Sequence, residues 1–595
     1  MKIPFVSSLR NILPLLKTQP SSESVITTSS QKSSRDNRQT VSNTLSYRDK
    51  NFIKNIVALQ QDVHLVFGRE SYLFESARLI KNFNPLKVFL FNPRFILPAL
   101  RLGNTTKRLG NLVRRCPGNE KLKHIYSSAL SYYIAYKLMI PGTRLSNKNM
   151  GLKVNVQDLG LSKNGNPIEE VSLRDTAGMF RKINDKSSRD KLARCCNELY
   201  IKELYEEGIK LFNRSCEILV SMGHPNLLDF YSCVTGHDLP KLGQIAEVLL
   251  DKTNDKYWVV MPKFYKKRTG LDIDFANRSD ISYVLDGQDV EMEEVERVLT
   301  SEKLVLLLKR TFDGLGLEFS SNSREINFNS LDEYWKFVKS IDHNKPQILL
   351  DIAERRGKSP RAHLTTLHIP SEIILVLNPQ GGIQDYMTAL HEGGHANHYA
   401  YMDPNLDYVS KRLGSKSSTE SYAFLFHSLM TNPHFLKHQI GLSDENAQKL
   451  IEKLKLTNLY MLRRYASKMQ FELKLFEGDP YKSKDPIEMG RFYTDLLTDN
   501  TGYKPYSESF ITDVDPGFYV ANYLTAWILE AQLEEYLKNN FGTSEQQGND
   551  WYLDLRAGDF LKWLWKQGSI SQHELSKAVG YNDATNIEPL LKLVV

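Results

Sequence analysis

Apolar residues recur at helical spacing along most of the chain beyond residue 45. An apolar residue every three to four positions forms one face of an amphipathic helix, and this spacing predicts helices over 51–74, 121–139, 190–220 and 290–315. Glycine and proline residues predict turns at 116–118, 141–142 and 223–225. We therefore predict a mainly α protein in which residues 46–340 form a helical N-terminal region.

The first 45 residues lack this periodicity after Leu16 and are rich in serine, threonine, asparagine and glutamine. Such a composition buries too little apolar surface to offset the entropy of ordering, so we predict a disordered tail over 1–45. Arg10 interrupts any apolar core of a secretory signal. We expect a cytoplasmic protein, but the basic, acid-poor start leaves an organellar transit peptide open as an alternative.

A β-branched, apolar run precedes the most informative stretch of the chain. Residues 371–378 predict a strand, and Pro379, Gly381 and Gly382 predict a turn from it into a helix over 384–402. The strand is expected to belong to a small β-sheet beside that helix. Two alternatives stay open for it: an exposed edge that pairs with an extended peptide, or an ordinary core strand.

The sequence His-Glu-Gly-Gly-His-Ala-Asn-His begins at His391 within this predicted helix. His391 and His395 are four residues apart, so they share one helix face and can hold one Zn²⁺. Glu392 beside them can act as general base on a metal-bound water. Gly393 and Gly394 each weaken a helix by about 1 kcal/mol, so we expect them where another group approaches the backbone closely.

Two histidines leave a catalytic zinc in need of a third protein ligand, with the fourth position kept for water. Glu420 is the best candidate, because it stands at the start of a predicted helix after a polar loop. His427, two turns further along the same face, and His398 are candidates for positions beside the ligands. For both histidines the alternative is a structural role. The catalytic region with its C-terminal helices is therefore predicted over 341–595.

The composition of the 595-residue chain is that of an ordinary globular protein, with 41% hydrophobic and 25% charged residues. The net charge of +7 is modest, and the basic run over 78–115 is best explained as a solvated helix face, so we expect no nucleic-acid partner. No apolar stretch approaches about 18 residues, so we expect no membrane span. Five cysteines without a C-x-x-C pair predict reduced thiols and no cysteine zinc site.

The stretch from His391 to His398 resembles the HExGHAxH signature of the thimet oligopeptidase and oligoendopeptidase F family of zinc metallopeptidases. In that family the third ligand is a glutamate about 25 residues after the second histidine, a spacing that Glu420 matches. The resemblance, clear over roughly 350–535, implies an elongated helical molecule with a deep substrate channel, of which residues 46–340 form one wall. It also brings in related carboxypeptidases that share the ligand pattern.

The same family has a tyrosine-rich segment near its C-terminus that supports the tetrahedral intermediate. Tyr519 and Tyr523 lie at i and i+4 in the corresponding segment, where Asp515 as N-cap and Pro516 as first residue predict the start of a helix. The resemblance implies that Tyr523, with Tyr519 as its partner, donates to the developing oxyanion. This chain departs from the family at Asp513 and Asp515, where relatives usually carry a histidine.

Basic side chains outside the motif are candidates for binding a peptide substrate. Arg361 lies in a polar loop before the predicted strand, and Arg464 lies on a helix predicted over 454–476. Asp515 is a further candidate for a position beside the ligands or the substrate. A further departure is His427, which stands where relatives often carry an acid. The hydrolytic core therefore transfers to this chain more fully than the substrate register does.

We expect a zinc-dependent oligopeptidase that binds one Zn²⁺ per chain and hydrolyses short, unfolded peptides. Trimming from the C-terminus, as by a metallocarboxypeptidase, is an alternative that needs basic groups to hold the substrate carboxylate. A catalytically idle relative that binds peptides or a partner protein is a second alternative, although the ligand set shows no defect.

Overall fold

Helices dominate the computed structural model, which describes residues 45–75, 93–157, 162–163, 166–173, 175–224, 226–287, 289–355, 358, 362–478, 484–515 and 517–594. The predicted mainly α architecture is confirmed. Residues 1–44 of the predicted tail, Arg361 and Pro516 lie outside the described residues.

The first part of the described chain is a succession of helices joined by short connections. Short π or 3₁₀ turns interrupt the series at Ile201–Tyr205, Ile273–Phe275 and Val290–Met292. The helices are α1 (Tyr47–Glu75), α2 (Pro93–Arg115), α3 (Glu120–Gly151), α4 (Thr176–Phe180), α5 (Lys186–Tyr200), α6 (Glu206–Ser221), α7 (Leu227–Thr235), α8 (Leu239–Lys252), α9 (Asn254–Thr269), α10 (Arg278–Asp286), α11 (Glu293–Val298), α12 (Ser301–Gly314), α13 (Phe319–Asn322) and α14 (Leu331–Lys339).

The turn predicted at 141–142 is wrong, because α3 continues through Pro141 to Gly151. A proline removes one backbone donor from a helix, and tertiary contacts can outweigh that loss. Here the far end of α3 is held by an ion pair of Lys148 with Glu203, 3.0 Å long. The local sequence contains the proline that predicts a turn, but it gives no indication of the distant residue Glu203 that pairs with the helix.

The second part of the described chain is also mainly helical. Additional π or 3₁₀ turns occur at Ser428–Thr431, Leu436–Ile440, Ser507–Ser509 and Trp551–Leu553. Its helices are α15 (Ile383–Ala400), α16 (Tyr408–Arg412), α17 (Lys416–His427), α18 (Pro433–Phe435), α19 (Asp444–Phe476), α20 (Pro486–Thr501), α21 (Phe510–Asp513), α22 (Tyr519–Asn540), α23 (Leu555–Trp565), α24 (Gln572–Ala578) and α25 (Glu588–Val594). The predicted division of the chain at residue 340 stays a prediction.

Strands form three small sheets in the described residues. Two are two-stranded and antiparallel: β1 (Lys153–Asn155) with β4 (Glu170–Ser172), and β2 (Ser162–Lys163) with β3 (Asn166–Pro167). The third has the order β5-β6-β8-β7 and comprises β5 (Ser323–Glu325), β6 (Ile348–Asp351), β7 (His363–His368) and β8 (Glu372–Val376). It lies beside α15, as predicted.

The strand predicted over 371–378 is β8, and it is an interior strand. It pairs in parallel with β6 and antiparallel with β7, and all five of its residues are buried. Of the two alternatives left open by the sequence, the core strand is therefore correct. The edge beside it belongs to β7, which α1 contacts.

Two buried acids of this sheet hold α1 in place. Arg69 donates to both carboxylate oxygens of Glu372, at 3.0 and 2.8 Å, and the Tyr72 hydroxyl donates to Asp351 at 3.0 Å. Because a buried carboxylate without a partner is costly, these bonds fix α1 against the strands that lead to α15.

The turn from β8 into α15 depends on two glycines with positive φ. Gly381 and Gly382 have φ of 84° and 90°, where residues with a Cβ are strained. A Cβ at Gly381 would lie 2.8 Å from the Leu299 carbonyl oxygen. Asp385, in the first turn of α15, accepts a hydrogen bond from the Gly381 N–H at 2.9 Å. The chain therefore turns within a few residues and aims α15 across the end of the sheet.

The glycines of the His-Glu-Gly-Gly-His sequence lie where α15 meets its neighbours, as predicted. A Cβ on Gly393 would lie 2.7 Å from the Phe312 ring of α12. A Cβ on Gly394 would lie 2.9 Å from the Tyr422 carbonyl oxygen and 3.0 Å from the Ala423 Cα, both in α17. The backbones of α15 and α17 are therefore closer together at Gly394 than two side chains would allow.

The described part of the basic run over 78–115 makes pairs within the protein. Arg108 and Arg115 both form ion pairs with Asp49 of α1, at 3.1 and 3.3 Å. The described residues include no helix with both the length and the apolar character needed to cross a bilayer. The five cysteines are all free.

Gly394→Ala is expected to push α15 and α17 apart, because its methyl group collides with the α17 backbone. Overpacking of this kind destabilises a protein by about 1–3 kcal/mol, which urea unfolding followed by circular dichroism would measure. The control is Gly142→Ala in α3, where a Cβ meets nothing within 4 Å, so no loss of stability is expected. Equal unfolding midpoints for Gly394→Ala and the unaltered protein would contradict the close approach.

Candidate metal centre

Three side chains converge where α15 packs against α17. The Nε2 atoms of His391 and His395 lie 3.5 and 3.6 Å from the Glu420 Oε2 atom. The two imidazole rings stand nearly perpendicular, with centroids 4.9 Å apart. The three ligand atoms all lie within 4.8 Å of one another, and no other such histidine, cysteine or carboxylate group of three occurs in the described parts of the chain.

Helix spacing and helix packing each supply part of this geometry. The i, i+4 spacing places both histidines on one face of α15. Glu420 reaches them from α17, which begins at Lys416 under a cap from the Ser415 hydroxyl. The polar loop predicted before Glu420 is therefore shorter than expected, and Glu420 lies in the second turn of its helix instead of at its start.

Charge is balanced tightly between these three groups. Burial alone would raise the pKa of Glu420, but hydrogen bonds and charge from His391 and His395 hold that pKa well below its usual value. Burial lowers the pKa of His395, but the hydrogen bond and charge of Glu420 outweigh burial and raise it. Glu420 is therefore an ionised, buried carboxylate that needs a cationic partner.

The three residues fit a zinc ion by their chemistry and by their spacing. Two imidazoles and one carboxylate are a common donor set for zinc in hydrolytic sites. Ligand atoms roughly 2.0–2.2 Å from a tetrahedral ion lie about 3.4 Å from one another. The separations of 3.5 and 3.6 Å between Glu420 and the two histidines are close to that value.

Glu392 follows the first histidine on α15 and is half-buried. Burial first, then the carboxylate of Glu420 and further charges that include Glu392, raise the pKa of Tyr523. Glu392 also adds to the upward shift of the His395 pKa, after burial and Glu420. The charge of Glu392 therefore affects the pKa of the candidate ligand His395 and that of the candidate hydrogen-bond donor Tyr523.

Tyr519 and Tyr523 lie at the start of α22 and make different contacts. The Tyr519 hydroxyl donates to Glu420 Oε1 at 2.9 Å, so it holds the carboxylate oxygen that is turned away from the histidines. The Tyr523 ring packs edge-on against the Tyr519 ring at 5.0 Å and against the Tyr465 ring at 5.4 Å. Burial raises the pKa of both phenols, so both keep their protons.

The two further histidines of the motif region occupy different surroundings. The His427 ring lies 6.0 Å from the His391 ring, and burial together with that neighbour lowers the pKa of His427 to about 3. His398 is fully buried, with its ring 4.6 Å from the Tyr422 ring and 6.4 Å from the Trp565 ring. His427 thus lies beside a candidate ligand, whereas His398 lies among aromatic side chains; a role for either at the metal stays a prediction.

The predicted helix start at Asp515 and Pro516 is wrong, because α22 begins at Tyr519 after Phe518 in the left-handed region, with φ of 59°. Asp515 does not cap the helix. Its carboxylate accepts from Lys468 Nζ at 2.9 Å, and that ion pair fixes the connection before the helix.

Arg464, predicted to contact substrate, forms an ion pair with Asp513. Its guanidinium also stacks over the Tyr465 ring, 5.6 Å from the ring centroid. The ion pair ties α19 to the last residue of α21, whereas the stacking contact lies within α19. Its predicted contact with substrate, like that of Asp515, stays a prediction.

His237 makes polar contacts that the sequence did not predict. It is buried between α7 and α8, with Nε2 3.0 Å from Ser417 Oγ and 3.2 Å from Asn522 Oδ1, and Nδ1 3.4 Å from Thr525 Oγ1. Ser417 belongs to the Glu420 helix, and the other two belong to the tyrosine helix. His237 therefore links the helices that carry the third candidate ligand and the phenols. A single histidine in a loop gives no sequence signal of such a link.

The fold is similar to that of solved peptidase structures. No protein-family model and no curated protein sequence matches this chain. A structure from Bacillus anthracis str. Ames, described as an oligoendopeptidase F, superposes with a TM-score of 0.53 and 15% identity, covering 83% of this chain and 82% of that one. PZ peptidase A with inhibitor 2 superposes with a TM-score of 0.56 and 13% identity, covering 95% and 97%. At these identities the matches establish a shared fold.

His237→Gln is expected to flatten the pH dependence of stability. Burial lowers the pKa of His237 from 6.5 to about 4. Above pH 6.5 the ring is neutral in both states, so its stabilising effect is full there; as the pH falls toward 4, only the unfolded chain binds the proton and stability is lost. Removing this group should make the slope shallower by up to about 1.4 kcal/mol per pH unit.

Urea unfolding of the chelator-treated protein between roughly pH 7.5 and pH 5 measures this slope without a contribution from metal release. The control is His573→Gln, an exposed histidine of α24, which is expected to leave the slope unchanged. If His237→Gln and the unaltered protein gave parallel curves, His237 would have to titrate alike in the folded and unfolded chains.

Proposed function

We propose that this protein is a zinc-dependent peptidase that hydrolyses short, unfolded peptides, with oligoendopeptidase action as the expected mode. The observation that carries the proposal is the position of the Glu420 carboxylate, 3.5 and 3.6 Å from the Nε2 atoms of two histidines one helix turn apart. The shared fold with an oligoendopeptidase F and with PZ peptidase A supports the same class of reaction.

In this proposal His391, His395 and Glu420 hold one zinc ion. Zinc bound there would supply a Lewis acid that polarises the scissile carbonyl and lowers the pKa of a water molecule. Glu392 accepts a proton from the attacking water and passes that proton to the leaving amine. Glu392 is free for this task because it is the acid of the motif that does not hold the metal.

The two tyrosines divide their tasks in this proposal. Tyr523 donates a hydrogen bond to the carbonyl oxygen on which negative charge develops, because burial and the nearby carboxylates raise the pKa of the Tyr523 phenol and keep it protonated. Tyr519 already donates to Glu420 Oε1, so it orients the third ligand. This division refines the sequence expectation, in which both phenols faced the oxyanion.

Glu392→Gln is expected to lower kcat by about 10²–10⁴ and to leave zinc content at one ion per chain, because the amide cannot accept a proton and is not a ligand. Mass spectrometry of a mixed short-peptide library, with and without a chelator, measures cleavage, and metal analysis measures zinc. The control is Glu247→Gln, an exposed acid of α8, which should cleave normally.

Internal cuts in that library would support oligoendopeptidase action, and stepwise loss of C-terminal residues would support the carboxypeptidase alternative. A zinc-loaded protein that cleaves no peptide would overturn the proposal in favour of an idle, peptide-binding relative. Cleavage that survives both the chelator and Glu392→Gln would exclude the assigned chemistry.

Tyr523→Phe and Tyr519→Phe are expected to fail in different ways. Loss of an oxyanion donor lowers kcat by about 10²–10³, so Tyr523→Phe should show that loss with zinc affinity unchanged. Loss of a hydrogen bond to a ligand lowers metal affinity by about 10–100-fold, so Tyr519→Phe should release zinc more readily. Steady-state kinetics and zinc competition with a chromophoric chelator separate the two effects.

Tyr47→Phe, at an exposed position of α1, is the control for the loss of a phenol hydroxyl and should change neither quantity. If Tyr523→Phe lowered zinc affinity and Tyr519→Phe lowered only kcat, the two roles would be exchanged.

A further inference from the structure

A cavity of about 1040 Å³ adjoins the candidate metal centre. It is bounded on one side by α3, α6 and α7 and on the other by the first turns of α17 and α22. Tyr519, whose hydroxyl donates to Glu420, is part of its wall. Ligand sites commonly have volumes of roughly 300–1,000 Å³, so this cavity can take several residues of an extended peptide.

The wall of the cavity contains one lysine, Lys416, at the first position of α17. Lys416 lies one helix turn before Glu420, about 6 Å along the helix axis. Its side chain is exposed, whereas the adjacent Ser415 and Ser417 are buried, so its accessible surface faces the cavity. Within the described residues, no carboxylate oxygen comes close enough to Lys416 Nζ to form an ion pair.

The arginine and the aspartate of the wall, Arg412 and Asp515, already have partners. Arg412 donates to the backbone oxygens of Thr366 and Leu367, at 2.8 and 2.9 Å. Asp515 accepts from Lys468 at 2.9 Å. Burial lowers the pKa of His124, so this wall histidine is neutral at neutral pH. The ammonium of Lys416 is therefore the charge in this wall that is available to a ligand.

The remainder of the wall is largely apolar, with side chains such as Leu130, Phe212, Leu219 and Phe230. Apolar surroundings strengthen the attraction between opposite charges, because they lower the effective dielectric constant. Apolar surroundings also make an unpaired ammonium group unfavourable, so a ligand that brings a carboxylate stabilises the charged form of the lysine. Burial lowers the pKa of Lys416 and the charge of Glu420 raises it, but Glu420 forms no ion pair with Lys416, and its two oxygens contact His391, His395 and Tyr519.

We propose that Lys416 binds a carboxylate of the peptide in this cavity and so sets where the peptide lies relative to the metal centre. This inference rests on the proposed function and adds a class of substrate to it: peptides that carry a carboxylate a short distance from the bond to be cleaved. The carboxylate has two possible sources, the free C-terminus of the peptide and the side chain of an aspartate or glutamate.

Binding to the zinc-loaded Glu392→Gln protein tests this inference without turnover. The probes are an N-terminally fluorescein-labelled apolar hexapeptide with a free C-terminus, its C-terminal amide, and the amide with one aspartate near its end. Fluorescence anisotropy gives the affinity of each. A charge-assisted hydrogen bond to Lys416 predicts that the free acid binds at least about tenfold more tightly than the apolar amide.

The same probes are measured on three further variants in that background. Lys416→Met should abolish the preference for the free acid and leave the amide unaffected, while Lys416→Arg should restore most of it because the charge is kept. Lys252→Met, which removes an exposed lysine of α8 outside the cavity wall, should retain the preference. Tight binding of the aspartate-bearing amide, lost in Lys416→Met, would identify a side-chain carboxylate as the ligand.

If the Glu392→Gln protein with Lys416 in place bound the acid and both amides with equal affinity, the inference would be overturned, and this comparison needs no Lys416 variant to fold. A preference that persists in Lys416→Met would also overturn it by assigning the carboxylate to another cation. Because binding is read without hydrolysis, a protein that shows the preference but cleaves nothing would contradict the proposed peptidase and leave Lys416 as the carboxylate-binding residue.

Discussion

The close approach of α15 and α17 is the constraint on which the candidate metal centre depends. Gly394 lets the two backbones meet, because a Cβ there would lie 2.9 Å from the Tyr422 carbonyl oxygen. That contact brings Glu420, on α17, to within 3.6 Å of both histidines on α15. A wider separation of the helices would move the carboxylate beyond the reach of any single ion. Two adjacent glycines weaken the helix locally, and the gain is a candidate ligand from a second helix.

Buried charge governs the second level of organisation. Hydrogen bonds and charge from two imidazoles lower the pKa of the buried Glu420 against the effect of burial, and the Tyr519 hydroxyl donates to the same carboxylate. His237 then ties the helix of Glu420 to the helix of Tyr519 through Ser417 and Asn522. The positions of ligand and phenol are therefore coupled, because a shift of α17 relative to α22 would break polar contacts that lie out of reach of water.

Local spacing was sufficient to predict α15, the strand before it and the pairing of His391 with His395. The distance of Glu420 from His395 along the chain was sufficient to identify it as a candidate ligand. Its position in the second turn of α17 could not be predicted, because the helix begins earlier, at the cap formed by Ser415. The helix start at Asp515 was wrong because Lys468, from a distant part of the sequence, takes that carboxylate. The sequence did not identify Lys416 as a candidate binding residue, because the cavity wall that contains it is assembled from helices far apart in sequence.

The connection before α22 gives a physical interpretation of Asp513 and Asp515, two positions at which this chain departs from the family that its motif resembles. Asp513 and Asp515 stand where the resemblance leads one to expect a histidine; Asp513 pairs with Arg464, and Asp515 pairs with Lys468. Glu472, whose pKa burial raises to about 8, accepts the Asp515 N–H at 2.9 Å. These partners lie at i, i+4 and i+8 on α19, so one helix face holds the whole connection. A connection fixed by ion pairs can place Tyr519 and Tyr523 at the start of α22 without a histidine.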